Sequence, residues 1–422
     1  MRVGVKTLGC KVNQAESDLL LSAFREAGLE VVDFEEIADC YVINSCAVTG
    51  EAERKTRQYV RRALRRNPEA LVLLIGCCAK AWQRRGYRLS EERVVLLASD
   101  QKEQEICRFF AEHWGIALSL PPFPLPSRSR AWVKVEDGCD HFCSFCLVPY
   151  LREGVKSRSP EDILREVQYL EAQGVREVVL CGTNLGYFGR DLQSVTLIDL
   201  LELLVQNTRD VRFRLSSLEP YLFSRDFLRR FFALGTRICP HLHLPLQSGS
   251  DRILAKMSRG YSSKEYEVLV TTARALCPHV AITTDVIVGF PGEEEEDFEA
   301  TVRFCQIMGF SRMHVFAFSP RSGTAAFEWE KREGIPKPEK ERRVRRLIEV
   351  GRELSRRYHQ SFVGKRLEVL VESCENGVGV GHSENYIVVR VENPQGTWIG
   401  KILPVLVEGA DDTGAWGRVV AE

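Results

Sequence analysis

The sequence predicts an α/β protein of several domains, and three observations lead to that prediction. A length of 422 residues is typical of two to three domains. Apolar strand-like runs alternate with amphipathic helical runs as far as residue 330, which indicates parallel sheets. Beyond residue 364 the pattern changes to short alternating strands with turn residues between them, which indicates a separate β-unit.

Residues 1–117 are predicted to form an open parallel α/β sheet. The strand-like runs are RVGVKTL, CYVINSC and ALVLLIGC, and two helical segments separate them, QAESDLLLSAFREAG and the very basic EAERKTRQYVRRALRRN. Strand–helix–strand order is typical of a parallel sheet with helices on its faces. The next segment, LSLPPFPLPSRSR at residues 118–130, is rich in proline and serine and is predicted to be an extended linker.

Residues 131–360 are predicted to form a partial (β/α)6 barrel of the TIM type with a connecting helix at its end. Six strand-like runs occur there, with helical segments between them: AWVKVE, VREVVLCG, VRFRLSS, CPHLHLPLQ, VAITTDVIVGF and RMHVFAFS. Active sites of such barrels lie on loops at the carboxyl ends of the strands. Residues 364–422 carry KRLEVLVES, NYIVVRVE, TWIGKILPVLVEG and GRVVAE, which predict a small antiparallel β-barrel.

Composition narrows the function classes. The chain carries 58 basic and 58 acidic residues, so any nucleic-acid surface must be local rather than global. It shows neither a cleavable signal nor a run of about 18 apolar residues, which predicts a cytoplasmic protein without a membrane partner. Disulfides are rare in the cytosol, so we expect the clustered members of its 14 cysteines to bind metal or to take part in chemistry.

Three cysteines lie close together in EDGCDHFCSFCLVPY, directly after the first barrel strand. Cys139, Cys143 and Cys146 form a CxxxCxxC pattern at the predicted mouth of the barrel. Three thiolates can hold three irons of a 4Fe–4S cube and leave the fourth iron open to a small molecule. Zinc would need a fourth ligand, and His141 is an awkward one because it sits between the cysteines. Three buried core cysteines are the remaining alternative.

A second set of cysteines follows three strands of the N-terminal unit. Cys10, Cys46 and Cys77 come at the ends of the three predicted strands. The carboxyl ends of parallel strands share one edge of a sheet, so we expect the three thiols to converge. Any one of them alone would be interpreted as a small buried residue. The neighbouring Cys78 leaves the identity of the third thiol open.

Together these motifs resemble those of the radical S-adenosylmethionine (SAM) methylthiotransferases over almost the whole chain. The resemblance implies two 4Fe–4S clusters. The cluster on the barrel loop would bind and cleave SAM, and the cluster on Cys10, Cys46 and Cys77 would carry the sulfur to be inserted. Cys77 is preferred to Cys78 because the family motif places its cysteine directly after the glycine. The resemblance further implies a radical-SAM barrel, a C-terminal barrel of the TRAM type, a tRNA partner, and an electron donor such as flavodoxin or ferredoxin.

The residues around the first two N-terminal cysteines indicate the branch of the family. TLGCKVNQAES and NSCAVT resemble the branch that adds a methylthio group to carbon 2 of threonylcarbamoyladenosine beside the tRNA anticodon. The alternatives are the isopentenyladenosine branch, which tends to read YGCQMN, and the branch that modifies a ribosomal-protein aspartate, which tends to read LGCPKN. A non-enzymatic iron–sulfur electron carrier is a further alternative, but it would need four protein ligands for each cluster.

The resemblance also implies SAM contacts on the loops that follow the barrel strands. The candidate residues are Phe145, Gly182, Thr183, Asn184, Ser216, Ser217, Glu219 and Gln247. Glu219 is expected to meet the ammonium or the ribose of SAM, with a solvated loop carboxylate as the alternative. No catalytic residue beyond the cluster ligands is expected, because the radical abstracts the hydrogen. The chain departs from the family at Glu153, which stands where the family usually has glycine.

Two regions of positive charge are candidates for RNA binding. The basic helix offers Arg54, Lys55, Arg57 and Arg61, although a solvated helix face is the alternative interpretation. The C-terminal barrel has five basic against nine acidic residues, which makes it a poor phosphate platform as a whole. Lys365 and Arg366 are the candidate contacts of a local basic face on that barrel.

Overall fold

The computed structural model describes residues 1–87, 91–152, 154–193, 195–392 and 397–421, so Glu153 lies outside the described residues. These residues form a parallel sheet, a partial barrel and a closed barrel in that order along the chain. The predicted fold class is confirmed, whereas the exact domain boundaries stay predictions. Among the described helices, none combines the length and the apolar content that a bilayer crossing requires.

The N-terminal unit is a five-stranded sheet in which every neighbouring pair of strands is parallel. Its elements are β1 (Arg2–Thr7), α1 (Lys11–Glu26), β2 (Glu30–Val32), β3 (Cys40–Ser45), α2 (Gly50–Arg66), β4 (Leu71–Gly76), α3 (Cys77–Arg84), β5 (Val94–Leu96) and α4 (Lys102–Trp114). The strand order is β2-β1-β3-β4-β5, and helices cover both faces. The sequence analysis missed β2 and β5, because three residues carry too little periodicity to recognise.

The middle unit contains six parallel strands with helices around them. The strands are β6 (Ala131–Lys134), β9 (Glu177–Cys181), β10 (Arg212–Leu215), β11 (His241–His243), β12 (Ala281–Val288) and β13 (Arg312–Ala317), with a small hairpin of β7 (Glu136–Asp137) and β8 (Lys156–Ser157). The helices are α5 (Val148–Leu151), α6 (Pro160–Ala172), α7 (Leu197–Asn207), α8 (Arg225–Ala233), α9 (Asp251–Lys256), α10 (Ser263–Leu276), α11 (Glu295–Met308), α12 (Ala325–Glu333) and α13 (Lys337–Gln360). Backbone bridges between β10 and β11 join its two three-stranded sheets into the predicted partial barrel.

Side chains alternate between the two faces of the barrel strands. Val133, Leu180 and Phe213 point outward and join the main apolar core under the helices. Polar residues occupy the alternate, inward positions, such as Arg214 on β10 and His243 on β11. The barrel interior is therefore a polar space, and the chain has to supply partners for its charged groups.

The other two units close this interior. Helix α1 packs Val12 and Ala15 against the inward-facing Trp132 and Cys181. On the floor of the barrel, two arginines of β10 donate hydrogen bonds to backbone carbonyls of the C-terminal barrel. The segment 118–130, predicted as a linker, forms no helix or strand and lies along α1, where Ser127 donates a 2.7 Å hydrogen bond to Asp18.

The C-terminal unit is a closed barrel of five strands, one more than the sequence indicated. The strands are β14 (Arg366–Glu375), β15 (Val378–Ser383), β16 (Val388–Glu392), β17 (Ile402–Ala410) and β18 (Ala415–Val419). The sequence analysis missed β15, whose sequence VGVGHS contains two glycines. Neighbouring strands are antiparallel except β16 and β18. Strand directions cannot alternate all the way around a ring of five, so one parallel pair is unavoidable.

Candidate active site

The three cysteines of the barrel loop face one another at the mouth of the barrel. Gly138, directly before Cys139, has a φ of 90°, and a Cβ there would lie 1.6 Å from the carbonyl oxygen of Gly154. Only glycine fits this backbone and this approach. The amide of Cys146 then donates to the carbonyl of Cys143 over 3.0 Å, which turns the loop back on itself. The three thiols thereby become electrostatic neighbours.

The surroundings of these thiols favour metal binding over a free thiolate. Burial raises the pKa of Cys139 to about 11 and that of Cys146 to about 12. Backbone amides of His141 and Val148 point at the two sulfurs, each over 3.4 Å. Thiols of this kind are neutral at pH 7 until a metal displaces their protons. The backbone donors then stabilise the bound sulfur.

The second triplet assembles at the carboxyl edge of the N-terminal sheet. Cys10 follows β1, Cys46 follows β3 and Cys77 follows β4, and the three thiols interact electrostatically. Gly9 and Gly76, which precede two of them, have φ values of 107° and 86°. Two of the N-terminal cysteines, like Cys139, thus depend on a left-handed glycine immediately before them.

The structure separates Cys77 from Cys78. Cys77 faces the other two thiols of the N-terminal triplet, whereas Cys78 lies against Glu53 and Thr56 on the opposite side. Cys10 is accessible to solvent, yet the atoms around it raise the pKa of its thiol by desolvation. A side chain that faces an internal cavity has both properties, so the edge of the sheet leaves room for a group between the thiols.

The spacing of the thiols suits a cluster better than a single zinc ion. Zinc–sulfur bonds of about 2.3 Å in a tetrahedron hold two sulfurs about 3.8 Å apart. Among the described residues, no three cysteines bring their sulfurs within 4.8 Å of one another, and the group that does meet this limit is His243, Asp285 and His314. Both imidazoles lie within 3.4 Å of the Asp285 carboxylate, so hydrogen bonding accounts for that group.

Each triplet also receives one buried arginine that the sequence analysis did not identify. Arg259 donates a 3.2 Å hydrogen bond from Nη1 to Cys143 Sγ and forms an ion pair with Glu219. Arg152 donates from Nε to Cys77 Sγ over 3.5 Å. Nothing in the local sequence pattern marks either arginine, because each contact joins residues that are far apart in the chain.

Arg152 belongs to the barrel loop but completes the N-terminal site. Its Nη1 contacts Asp137 at 2.6 Å and Glu16 of α1 at 3.1 Å, and its Nη2 contacts Asn13 at 3.0 Å. Burial alone would raise the pKa of Glu16, but Arg152 and Lys102 hold it well below its usual range. The two domains therefore share a buried, charge-compensated contact beside the sulfur of Cys77.

The predicted SAM contacts lie around the barrel triplet, and three of them carry unused hydrogen-bonding atoms. Asn184 Oδ1, Ser216 Oγ and Gln247 Oε1 are fully buried and have no hydrogen-bond partner in the structure. Buried polar atoms normally find partners, so these atoms fit a site that receives a polar ligand. The amide nitrogen of Asn184 also approaches Cys139 Sγ at 3.8 Å. The residues present therefore fit a bound nucleoside cofactor beside the thiols.

The remaining predicted contacts have other partners. Thr183 donates to Asp137 over 3.0 Å, and Glu219 binds Arg259 instead of solvent. Gly182 packs on Glu136, where a Cβ would lie 2.5 Å from the carboxylate. The other two are Ser217, whose backbone bridges to β11, and Phe145, whose ring contacts Phe290 edge-on. Their roles toward SAM stay predictions.

A cleft of 820 Å³ opens beside the N-terminal triplet. Leu8 and Gly9 form one wall, and Phe316 and Phe318 at the end of β13 form the other, with Lys55 at the rim. Its volume is that of a typical small-molecule site. Gly9 directly precedes Cys10, so the cleft lies next to the first cysteine of the N-terminal triplet.

The predicted RNA contacts lie in two separate places, and most of their charges are partnered. Their partners are Glu51 for Arg54 and Lys55, the Trp82 ring for Arg57, Glu91 for Arg61, the Phe362 ring for Lys365 and Glu368 for Arg366. Exposed ion pairs of this kind are weak and can exchange for phosphate. Of the six, only Lys55 lines the cleft beside the N-terminal triplet.

Comparison with known proteins finds a family match in each of the three units of the chain. The Radical SAM superfamily matches residues 133–305, the TRAM domain matches residues 360–420, and a family described as uncharacterized protein family UPF0004 matches residues 2–97. The radical S-adenosylmethionine methyltransferase TsrM from Kitasatospora setae has a similar fold, with a TM-score of 0.54 and 14% identity over 77% of both chains.

Curated relatives match over the full length. The threonylcarbamoyladenosine tRNA methylthiotransferase MtaB of Bacillus subtilis is 34% identical, covering 100% of this chain and 97% of the relative. MtaB of Aquifex aeolicus is 36% identical, covering 96% and 100%. The tRNA-2-methylthio-N(6)-dimethylallyladenosine synthase of Dictyoglomus thermophilum is 35% identical, covering 99% and 98%. With two convergent thiol triplets on matching folds, the chain belongs to the radical-SAM methylthiotransferase family.

Proposed function

We propose that this protein adds a methylthio group to carbon 2 of threonylcarbamoyladenosine in tRNA, with SAM and two 4Fe–4S clusters as cofactors. The observation that carries the proposal is the pair of three-thiol sites at the edges of one shared interior. Each triplet leaves one corner of a cube without a protein thiol, and small molecules can coordinate there.

Cys139, Cys143 and Cys146 would hold the cluster that binds SAM, and Cys10, Cys46 and Cys77 would hold the sulfur-donating cluster. When bound, these groups supply the radical and the sulfur. The chain supplies binding and orientation. Asn184, Ser216 and Gln247 offer free polar atoms to SAM.

The substrate would reach the two triplets through the cleft beside Gly9. Chemistry on a base requires that the base leave its stack, and the cleft has room for one extruded nucleoside. Phe316 offers an exposed ring for stacking, and Lys55 offers a charge for the phosphate. Arg54, Arg57 and Arg61 would extend this contact along α2, whereas Lys365 and Arg366 would meet RNA elsewhere.

The threonylcarbamoyl substrate is preferred to the isopentenyl one on the basis of the cysteine motifs. The sequence around Cys10 and Cys46 resembles that branch, and MtaB relatives from Bacillus subtilis and Aquifex aeolicus are among the curated proteins that match the chain. Overall identity does not separate the two branches, because the dimethylallyladenosine synthase of Dictyoglomus thermophilum is 35% identical over a similar length. A one-electron donor such as flavodoxin or ferredoxin would be the second partner, because cleavage of SAM consumes an electron.

Mass spectrometry of tRNA nucleosides tests the proposal. Cells that lack the protein should lose the methylthio derivative of threonylcarbamoyladenosine and accumulate its precursor. The wild-type gene should restore the derivative, and a Cys46→Ala gene should not. Loss of the methylthio isopentenyl nucleoside instead, or a changed mass of a ribosomal protein, would assign the chain to another branch of the family.

A further inference from the structure

Lys11 lies inside the barrel without a counter-charge. It is the first residue of α1 and directly follows Cys10. Its ammonium lies 5.7 Å from the centroid of the Trp132 ring and is influenced by the charges of Arg130 and Arg214. Among the residues that the structure describes, no carboxylate lies within 4 Å of Lys11, and no oxygen accepts a hydrogen bond from it.

Two neighbours of Lys11 also have unused polar atoms. The indole Nε1 of Trp132 is fully buried and has no acceptor. His241 is influenced by the charge of Lys11, and its Nδ1 is likewise buried without a partner. The other nitrogen of His241 lies 2.9 Å from Thr283 Oγ1, so the ring is fixed in place with the free nitrogen available.

The carboxylates on the barrel floor are already taken by arginines. Glu177 accepts hydrogen bonds from Arg212 and Arg214, and Glu372 binds Arg130. Lys11 therefore adds a positive charge that the described residues do not balance. A half-buried ammonium without a counter-charge and a buried indole N–H without an acceptor are both unfavourable, and one bound anion would satisfy both.

We propose that Lys11 and Trp132 bind the carboxylate of the substrate's N6 side chain. This inference rests on the proposed function, because the threonylcarbamoyl group ends in a carboxylate and the isopentenyl group carries no charge. Lys11 follows Cys10, so the carboxylate would be held next to the site of sulfur insertion. In this role Lys11 is a specificity-determining residue that distinguishes the two adenosine substrates.

A double-mutant type of binding cycle tests the inference: the methyl ester removes the charge of the substrate carboxylate, and Lys11→Met removes the charge of the lysine. Anticodon stem-loops are prepared with threonylcarbamoyladenosine and with its methyl ester, and both are titrated into reconstituted wild-type protein and into Lys11→Met. Wild-type protein should bind the acid at least about tenfold more tightly than the ester, which is the value of one charge-assisted hydrogen bond. Lys11→Met should bind the two RNAs equally. Trp132→Phe, which removes the N–H, should lose part of the preference.

Lys6→Met is the matched control, because it removes a lysine of the neighbouring strand β1 whose ammonium lies over the Tyr59 ring. It should keep the full preference for the acid. Iron content and the visible absorption of the clusters establish that each variant is loaded. If Lys11→Met does not load, the Trp132→Phe cycle decides the question in its place.

The outcomes separate this inference from the proposed function. A wild-type protein that methylthiolates the threonylcarbamoyl RNA but binds acid and ester equally would overturn the inference alone. Persistence of the preference in both Lys11→Met and Trp132→Phe would do the same. A wild-type protein that binds and modifies only the isopentenyl RNA would overturn the proposed function and, with it, the inference.

Discussion

The two cysteine triplets reach similar arrangements by different routes. Residues 139–146 hold the barrel triplet on one continuous loop, so its geometry is local. The N-terminal triplet exists only after β1, β3 and β4 have paired in register. A short loop thus encodes one site directly, whereas sheet topology encodes the other.

The arginines extend this contrast. Arg259 and its partner Cys143 both belong to the middle unit, so that unit completes its own site. Arg152 crosses from the barrel loop to Cys77 in the N-terminal sheet. The N-terminal site is therefore a joint product of two domains, and damage to either domain should affect it.

Loss of single cysteines should separate the two sites most strongly. Cys143→Ala should abolish reductive cleavage of SAM, by at least about a hundredfold, because the open iron loses its cluster. Cys46→Ala should retain cleavage and lose sulfur insertion. Each variant should lose about four of about eight irons. Product analysis by chromatography and iron assays measure these outcomes, and undiminished cleavage in Cys143→Ala would contradict the assignment of the two clusters.

Substituting alanine for the glycines that precede the cysteines should show how strongly the stability of each site depends on its glycine. Gly138→Ala should lower the free energy of unfolding by about 5 kcal/mol or more, since its Cβ would meet backbone at 1.6 Å. Gly9→Ala should cost less, because its nearest contact is the Cys46 side chain at 2.8 Å. Gly28→Ala, with φ 73° and nothing within 4 Å, should cost only about 1–2 kcal/mol. Chemical denaturation measures all three, and equal losses would contradict this order.

Substitution of Arg152 and of Arg259 should distinguish the N-terminal site, which two domains share, from the barrel site, which the middle unit completes alone. Arg152→Met leaves Glu16 and Asp137 with less compensation, so the protein should lose about 3–5 kcal/mol of stability. It should also lower the reduction potential of the N-terminal cluster, because a cation and an N–H donor leave its sulfur. Arg259→Met should shift the other cluster. Redox titration followed by electron paramagnetic resonance resolves the two, and a shift of the same cluster in both variants would refute the assignment.

Two buried carboxylates, those of Glu136 and Glu16, should make the free energy of unfolding depend on pH in opposite directions. Burial, with the nearby charge of Asp137, raises the pKa of Glu136 to about 8, whereas its neighbours lower that of Glu16. Between about pH 4.5 and pH 8 the folded state keeps the Glu136 proton that the unfolded chain releases, so this contribution to stability falls as pH rises. Glu136→Gln should therefore be more stable than wild type by roughly 2–3 kcal/mol at pH 7 and about equal near pH 4.5.

Glu16→Gln is the counterpart, and it should be less stable than wild type at pH 7, because the carboxylate balances Arg152 and Lys102. Thermal denaturation across this pH range measures both variants. A Glu136→Gln protein whose stability falls with pH as steeply as that of wild type would show that another group titrates.

The sequence predicted what local patterns encode. Alternating runs predicted the six barrel strands, and strand ends predicted that the thiols after three N-terminal strands would converge. The choice of Cys77 over Cys78 came from the family resemblance. Arg152 and Arg259 escaped prediction, because they lie 75 and 116 positions from the cysteines that they contact. The orientation of Cys78 also depends on packing against Glu53, which no local pattern reports.

Charge was the least predictable property. The basic helix α2 looked like a free phosphate-binding face, yet Glu35 pairs with two of its arginines and Glu91 with a third. Those acidic residues lie outside the helix, so the helix sequence does not reveal them. Conversely, the sequence analysis gave Lys11 no role beyond its place in the motif TLGCKVNQAES, and only the tertiary structure shows that it lacks a counter-ion.

The floor of the middle barrel has a consequence for synthesis and for evolution. Arg212 and Arg214 find acceptors on main-chain oxygens of residues near the C-terminus. During synthesis, Arg212 and Arg214 can therefore pair with Glu177 at first, and they gain these main-chain acceptors only after residues 368–384 have been added. Every amino acid carries a main-chain carbonyl, so the side chains of that segment can change during evolution while the contact is kept.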